Sequence, residues 1–299
     1  MRTLLFASFL LLAAAPVAGA QDVQRIDTTF AFAKGGSVDL GLVSGEIVVT
    51  GWSRQEVKIQ ASIETGYFET SYSNARVSVT ARSRRSHMSD ARYEVSVPVG
   101  TRVHASAVSG DVTVRGTAGE TLVNSVSGDI EVRDAQERVE MHTVSGDIKA
   151  SKLRGRIRAN SVSGDITAED VVGDFEGKSV SGGATIRGAL TGIEFESVSG
   201  DFDFAGDIRG DGSYSVNTHS GDIHLVLPSN TGATLELQTF SGDVRPGFPI
   251  TLQPGEQPLG RRNRQLRFTV NGGGPRLHLE TFSGDIIIDK GAARAKEEN

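Results

Sequence analysis

The triplet Ser-Gly-Asp recurs along this chain at nearly constant intervals, and this repeat limits the folds that the chain can adopt. Successive serines of the repeat lie 18 residues apart five times, then 21 residues apart twice, and finally 42 residues apart. These serines are Ser109, Ser127, Ser145, Ser163, Ser181, Ser199, Ser220, Ser241 and Ser283, with a related Ser44 upstream. A constant period indicates one structural unit copied in register. We interpret the 42-residue interval as one unit whose corner has been replaced by a loop.

Short strands flank each triplet. Residues 139–141 before Ser145 read Val-Glu-Met, and residues 148–150 after it read Ile-Lys-Ala. This period of two is typical of a strand that is buried on one face. A second turn, with Gly119, Gly155, Gly173 or Gly192, separates successive units. The residues after position 20 show no helical periodicity, so the sequence predicts an all-β protein.

Two all-β architectures fit this unit. In a parallel β-solenoid, resembling a β-helix, each unit is one coil of 18–21 residues, and equivalent positions stack about 4.8 Å apart. In an antiparallel meander of hairpins, Ser-Gly would form the tight turns. We favour the solenoid as a single domain, because the apolar face of a meander needs a cover and no helix is available to supply it. Proline is absent from Val99 through Leu227, as strands paired on both sides require.

The ends of the chain differ from the repeats. Residues 1–20 combine a basic start, an apolar run and a terminal Ala18-Gly19-Ala20, as in a secretory signal peptide. We therefore expect an exported protein, periplasmic or extracellular, with no transmembrane segment after cleavage. The solenoid should span 21–290, with irregular coils over 21–107 and regular repeats over 108–290. A proline-rich loop at 246–265 interrupts these repeats, and we expect a disordered tail at 291–299.

The repeated Ser, Gly and Asp have two readings. In the first, the serine and aspartate oxygens accept hydrogen bonds from turn amides and the residues are structural. In the second, stacked carboxylates form a cation ladder that binds Ca²⁺, and its candidates are Asp111, Asp129, Asp147 and Asp165. The expected structural turn residues are Ser109, Gly110, Ser127, Gly128, Ser145, Gly146, Ser163, Gly164, Ser199 and Gly200. A catalytic serine is singular, whereas these serines are copied, so we assign no catalytic residue.

A second polar position is also repeated, two residues before each triplet. We expect its hydroxyls to form a hydrogen-bonding ladder, from Ser125, Thr143, Ser161, Ser179, Ser197, Thr218, Thr239 and Thr281. The arginines are less regular. Arg261, Arg262, Arg264 and Arg267, together with the arginines between Arg76 and Arg92, form either basic patches for acidic polysaccharide or lipid headgroups or solvated faces.

Composition excludes several classes of function. The formal net charge is −6, which argues against a nucleic-acid partner. The chain contains no cysteine, so disulfides, thiolate nucleophiles and Cys-ligated metals are excluded. The six histidines show no tight metal-binding spacing. We therefore expect no cofactor and no bound catalytic metal.

The repeats also resemble a known family. The V-S-G-D-I units, the lead-in Val95-Ser96-Val97-Pro98, the step Leu227-Pro228 and the closing residues 281–286 resemble a bacterial β-strand-repeat family of unknown function that carries the label "putative adhesin". The resemblance covers roughly residues 30 to 290. It implies an exported, solenoid-like protein with no accepted catalytic residues.

Together these observations predict a non-enzymatic structural or interaction module of the cell envelope, of adhesin type. Its partner would be an envelope or extracellular protein or a polysaccharide. Two alternatives remain open at this stage. One is a polysaccharide-active enzyme built on a β-helix, and the other is a Ca²⁺-stabilised binding protein that resembles a β-roll.

Overall fold

A computed structural model describes residues 23–83, 89–210, 212–249, 251–252 and 265–291. The predicted signal peptide, most of the predicted loop 246–265 and the tail after residue 291 lie outside the described residues. Every helix or strand within the described ranges is a β-strand, which agrees with the all-β prediction. None of these residues belongs to a helix long and apolar enough to cross a membrane.

The strands follow one another closely along the chain. The first six are β1 (Gln24–Ala31), β2 (Ser37–Trp52), β3 (Glu56–Ile63), β4 (Tyr67–Tyr72), β5 (Arg76–Arg82) and β6 (Ala91–Pro98). The middle strands are β7 (Arg102–Arg115), β8 (Thr121–Ser125), β9 (Ile130–Arg133), β10 (Gln136–Ser145), β11 (Ile148–Ser151), β12 (Arg154–Ser163), β13 (Ile166–Ser181), β14 (Ala184–Ser199), β15 (Phe202–Ile208), β16 (Ser213–Ser220) and β17 (Ile223–Pro228). The last six are β18 (Ala233–Ser241), β19 (Val244–Pro246), β20 (Thr251–Leu252), β21 (Gln265–Val270), β22 (Arg276–Ser283) and β23 (Ile286–Gly291).

Equivalent strands of successive repeats pair in parallel and in register. In the strands that precede the triplets, Val139 of β10 lies beside Ile157 of β12, which lies beside Phe175 of β13. In the strands that follow the triplets, Ile148 lies beside Ile166 in the same way. Each repeat is therefore one coil, consisting of a leading strand, a Ser-Gly-Asp corner and a trailing strand. The solenoid prediction is confirmed, and the antiparallel meander is wrong for the repeats.

The coil encloses its own core because inward and outward side chains alternate along each strand. In β10, Val139 and Met141 are fully buried, whereas Glu140 and His142 point outward. The trailing strands contribute buried branched residues such as Ile148 and Ile166. The two sets of inward side chains meet inside the coil and form one continuous hydrophobic cluster along the solenoid. This packing fixes the register at every corner, because a shift by one residue would turn apolar side chains outward.

The C-terminal coils do not stack in chain order. Leading strand β22 pairs in parallel with β16 on one side and with β18 on the other, and Ser283 lies beside both Ser220 and Ser241. The last repeat of the chain is therefore inserted between the two repeats that precede it. The interpretation of the 42-residue interval as a unit with a missing corner is wrong, because Ser241 and Ser283 occupy neighbouring corners of the stack.

Antiparallel strands cover both ends of the leading stack. At the N-terminal end of this stack, β5 pairs in parallel with the first half of β2 and carries the antiparallel partner β4. The trailing stack ends instead in β6, which pairs in parallel with the second half of β2 and is followed by the antiparallel strands β3 and β1. At the other end of the leading stack, β21 pairs antiparallel with β18. β4 and β5 thus supply part of the N-terminal cap. Such caps occupy edges that would otherwise pair with another chain.

Candidate interaction surface at the corners

The corner glycines let successive coils approach closely. A Cβ placed on Gly128 would lie 2.2 Å from the carbonyl oxygen of Gly110, and one on Gly146 would lie 2.3 Å from that of Gly128. None of these three glycines has a positive φ, so a left-handed backbone does not explain why glycine is present. Glycine is needed at these corners because a side chain would prevent the close approach of the coils. The predicted turn residues therefore come together in one column along the solenoid, with the glycine backbones in direct contact.

The corner aspartates link each coil to the next. The Asp165 amide donates a hydrogen bond of 3.0 Å to Asp147 Oδ1, and the Asp147 amide donates one of 2.9 Å to Asp129 Oδ1. The same bond recurs between Asp129 and Asp111, and across the C-terminal coils from Asp222 to Asp201, Asp285 to Asp222 and Asp243 to Asp285. Each carboxylate thus accepts the amide of the equivalent residue one coil further along, which is not a bond within its own turn.

Substitutions at Asp147 separate this hydrogen bond from the charge. We expect Asp147→Ala to lower the free energy of unfolding by about 1 kcal/mol, because the Asp165 amide loses its acceptor. Asp147→Asn keeps an acceptor oxygen, so its free energy of unfolding should stay within about 0.5 kcal/mol of the unchanged protein. Urea unfolding of the two variants measures the difference. Equal losses in both variants would mean that charge, and not the hydrogen bond, is what the corner requires.

The repeated hydroxyls before each triplet are buried beneath the corners. Four of them donate to corner glycine carbonyls, at 3.0–3.4 Å, namely Ser125, Thr218, Thr239 and Thr281. The hydroxyls of Thr143, Ser161, Ser179 and Ser197 occupy the same position without a hydrogen-bond partner in the described part of the chain. The hydroxyls therefore line one buried row, and half of that row bonds to the corner of the preceding coil in the stack.

An exposed apolar row runs along the outside of the corners. The residue immediately before each corner serine points outward, and seven of these residues are valines that are 43–52% exposed. We call this row the corner ridge. In stacking order it consists of Val43, Val108, Val126, Val144, Val162, Val180, Val198, His219, Phe282 and Phe240. Contiguous exposed apolar surface is unusual on a soluble protein and marks interaction sites.

Sequence reasoning missed the corner ridge although a signal was present. The alternation in β10 places Met141 and Thr143 inward, and the next residue, Val144, must then face outward. The ridge was therefore encoded in the apolar residue before each serine. What concealed it was the ordinary expectation that a valine in a strand is buried.

Stacked rings form the C-terminal end of the ridge. The His219 and Phe282 rings lie 5.0 Å apart and 9° from parallel, and the Phe282 and Phe240 rings lie 4.8 Å apart at 7°. Phe240 is 71% exposed. The insertion of β22 between β16 and β18 is what brings these three rings together. The aromatic stack therefore depends on the stacking order and cannot be read from the chain order.

A carboxylate row runs beside the ridge, separated from it in every coil by only the corner serine and glycine. We call it the corner carboxylate row. Six of its members have no ion-pair partner within the described ranges, and these are Asp111, Asp129, Asp147, Asp165, Asp201 and Asp222. At its ends, Glu46 pairs with Arg92, and Asp285 pairs with Arg245. Position 183 holds glycine and interrupts the row.

Carboxylates on the outer face of the leading strands differ from the corner carboxylate row because they form ion pairs with neighbouring arginines. Glu140 contacts Arg138 and lies 3.7 Å from Arg158, and Arg158 in turn bonds Glu176 at 2.5 Å. The hydrogen bond from Arg138 lowers the pKa of Glu140, with the nearby Arg158 charge acting in the same direction. The hydrogen bond to Glu176 raises the pKa of Arg158. Glu140 and Glu176 on the leading face are therefore ion-paired, whereas six members of the corner carboxylate row are not within the described ranges.

The metal-binding and basic sites considered in the sequence analysis have the following surroundings in the structure. Within the described ranges, no group of three or more acidic or histidine side chains is placed to hold a metal ion. His224 lies between Asp203 and Asp289, at 3.2 and 3.0 Å. The described arginines of the hypothesised basic patches form ion pairs, with Asp39 for Arg76, Glu69 for Arg82, Glu46 and Glu94 for Arg92, and Glu236 for Arg267. Arg84, Arg85, Arg261, Arg262 and Arg264 lie outside the described residues.

Several solved structures are similar to this chain. A "putative adhesin" from Bacteroides fragilis is 11% identical, with 89% of this chain and 97% of that chain covered and a TM-score of 0.40. A "putative cell adhesion protein" from Clostridium sporogenes is 10% identical, with 90% and 100% covered and a TM-score of 0.29. A "putative lipid binding protein" from Parabacteroides distasonis is 10% identical, with 89% and 96% covered and a TM-score of 0.33. These likenesses are too distant to support a statement about function.

No curated protein matches the chain. The family described as Toastrack DUF4097 matches residues 36–186 and 173–289, so the two matched ranges together include every coil described above. The resemblance indicated by the V-S-G-D-I units is thereby confirmed. On these grounds the protein belongs to the Toastrack DUF4097 family.

Proposed function

We propose that this protein is an exported, non-enzymatic interaction module of the cell envelope, of adhesin type, and that it binds through the corner ridge. The observation that carries the proposal is the exposure of ten stacked ridge side chains, nine of them apolar and seven of these valines. A coil needs apolar residues inside, where Val139 and Met141 already lie, but its own stability does not require an apolar row outside. Apolar surface that remains exposed along a whole edge is best explained by a partner.

The scaffold suits this role because it holds the ridge rigidly. Hydrogen bonds between neighbouring aspartates and contacts between corner glycines fix each rung relative to the next. A surface that is ordered before binding loses little conformational entropy when a partner docks. The family resemblance and the repeated, non-singular corner serines agree with a module that has no catalytic centre.

Replacing ridge valines by threonine tests the proposal. Threonine keeps the branched shape but has a hydroxyl in place of one valine methyl, so Val126→Thr, Val144→Thr and Val162→Thr together should leave the fold intact while making the ridge more polar. We expect beads coated with residues 21–299 to bind isolated cell envelopes, and the triple variant to bind several-fold less. The matched control is Val99→Thr, because Val99 and Val144 are both 46% exposed but Val99 lies outside the ridge.

Two results would overturn this function, and a third would overturn the proposed binding site. Envelopes that ignore the unchanged protein would remove the adhesin assignment. Steady release of products from a panel of envelope polysaccharides, abolished by substitution of a few surface charges, would replace the binding module with an enzyme. Binding that survives the triple substitution would move the partner site away from the ridge.

Export has its own test. We expect mature protein recovered from the periplasm or medium to begin at Gln21, because the small residues before it form the cleavage site. N-terminal sequencing of the recovered protein measures this. A chain that keeps residues 1–20 and stays in the cytoplasm would contradict the localisation.

A further inference from the structure

The corner ridge and the corner carboxylate row together define a surface with two chemistries. In most coils, one exposed apolar side chain and one carboxylate flank the same Ser-Gly pair, as Val144 and Asp147 flank Ser145-Gly146; the exceptions are Gly183, which replaces the carboxylate, and His219, which replaces the apolar residue. Because the coils stack in register, the two rows run side by side along the solenoid. With ten rungs about 4.8 Å apart, the ridge is about 43 Å long. A partner that covers it must therefore be elongated.

The charges of the corner carboxylate row indicate the sign of the charge that the partner must carry. Adjacent carboxylates about 4.8 Å apart repel each other by roughly 0.9 kcal/mol even in bulk-water dielectric. The six unpaired members of the carboxylate row have no cation to offset this repulsion within the described ranges, although Glu140 and Glu176 on the leading face pair with arginines. A cationic partner would relieve the repulsion. An acidic polysaccharide or an anionic lipid surface would increase it.

A second copy of the chain fits this surface poorly. A stable dimer buries about 800 Å² on each partner, so a contact about 43 Å long would have to be roughly 19 Å wide, whereas the ridge is one side chain wide. Two antiparallel copies would also place one carboxylate row against the other. The formal net charge of −6 acts in the same direction. These arguments favour a narrower partner of opposite charge.

The spacing of the rungs favours a helical partner. An α-helix presents the same face about every 5.4 Å along its axis, whereas an extended strand presents the same face only about every 6.7 Å. The helical repeat is closer to the rung spacing of about 4.8 Å. The carboxylates lie on one side of the ridge only, so cations on one edge of an apolar helical stripe would meet them.

We propose that the corner surface binds a basic amphipathic helix, with its apolar stripe on the corner ridge and its lysine or arginine edge on the corner carboxylate row. This rests on the proposed function and deepens it by giving the chemical class of the partner. The helix belongs to another polypeptide, and its recognition depends on the two rows together.

The test uses a synthetic peptide as the probe. The peptide has about 21 residues, a leucine stripe and lysines along one edge of it, so its helix is about 32 Å long. We expect it to bind residues 21–299 in a fluorescence titration, more weakly at about 500 mM salt than at about 50 mM. A peptide with glutamate in place of each lysine should not bind.

Variants of the carboxylate row make the test specific. The triple variant Asp129→Asn, Asp147→Asn and Asp165→Asn removes three charges but keeps the oxygens that accept the amides of Asp147, Asp165 and Gly183 and so link the coils. We expect it to weaken peptide binding about tenfold or more. The matched control is Glu64→Gln, Asp134→Asn and Glu169→Gln, which makes the same charge change at exposed residues outside the two rows and should change affinity less than about twofold.

Each other outcome overturns the inference in a recognisable way. Equal weakening by both triple variants would mean attraction to net charge only, and binding of the glutamate peptide would exclude charge recognition. Calcium binding by calorimetry, without peptide binding, would assign the carboxylate row to a cation ladder. Self-association that the ridge threonine variant abolishes, without peptide binding, would assign the ridge to a second copy. Envelope binding that persists without peptide binding would overturn this inference and leave the proposed function standing.

Discussion

Replacing Gly146 by alanine should destabilise the protein by about 3 kcal/mol or more, an unusually large effect for the addition of one methyl group. The new Cβ would lie 2.3 Å from the Gly128 carbonyl oxygen and 2.7 Å from its carbon, distances that real Cβ atoms do not reach. Both contacts are with backbone atoms, so no side chain can rotate away. The two coils must separate, which lengthens hydrogen bonds such as the one from the Asp147 amide to Asp129. Urea unfolding followed by circular dichroism measures the loss.

Gly210→Ala is the matched control for this substitution. Nothing lies within 4 Å of a Cβ built on Gly210, and its φ is not in the left-handed region. Its free energy of unfolding should therefore change by less than about 0.5 kcal/mol. If Gly146→Ala unfolded at the same urea concentration as Gly210→Ala, close contact between corner backbones would not be what holds the coils together.

The sequence predicted the coils well because their period and their chemistry agree. The constant interval between corner serines fixes which residues stack, and the alternation around Ser145 fixes which of them face inward. Parallel pairing of Ser145 with Ser163 follows from both. Residue type supplied the rest, because only glycine allows the backbone approach seen at Gly146. The register between neighbouring coils is therefore determined by residues close to each corner, and it can be predicted from a single sequence.

Stacking order is not local, and the sequence could not supply it. The leading strands β18 and β22 carry Leu-x-Leu at the same positions, so Leu235 and Leu277 present equivalent surfaces to a neighbouring coil. Either strand could follow β16 without changing the period or the burial pattern. The choice depends on where the connecting chain and the capping strand β21 can lie. These are tertiary constraints, which is why the aromatic end of the ridge was not predicted.

Substitutions of two phenylalanines distinguish the contribution of the core to stability from the contribution of the corner ridge to binding. Phe195 is fully buried, and its ring centroid lies 4.9 Å from that of Phe202 on the facing strand. Phe195→Ala leaves a cavity between the two walls of the coil, and it should lower the free energy of unfolding by about 3–5 kcal/mol. Phe240→Ala removes a ring that is 71% exposed and stacks on Phe282. Its cost should be below about 1 kcal/mol.

Binding should rank these variants in the opposite order. Measured well below its unfolding midpoint, Phe195→Ala should keep its envelope binding, because the ridge side chains and their backbone register are unchanged. Phe240→Ala should bind envelopes several-fold less, since the aromatic end of the ridge is lost while the solenoid remains folded. A ridge that existed only to support the coil would give the reverse pattern, with Phe240→Ala destabilising and binding unaffected. Thermal unfolding and the bead assay on the same two preparations therefore decide whether the exposed row is part of the scaffold or the surface that the scaffold presents.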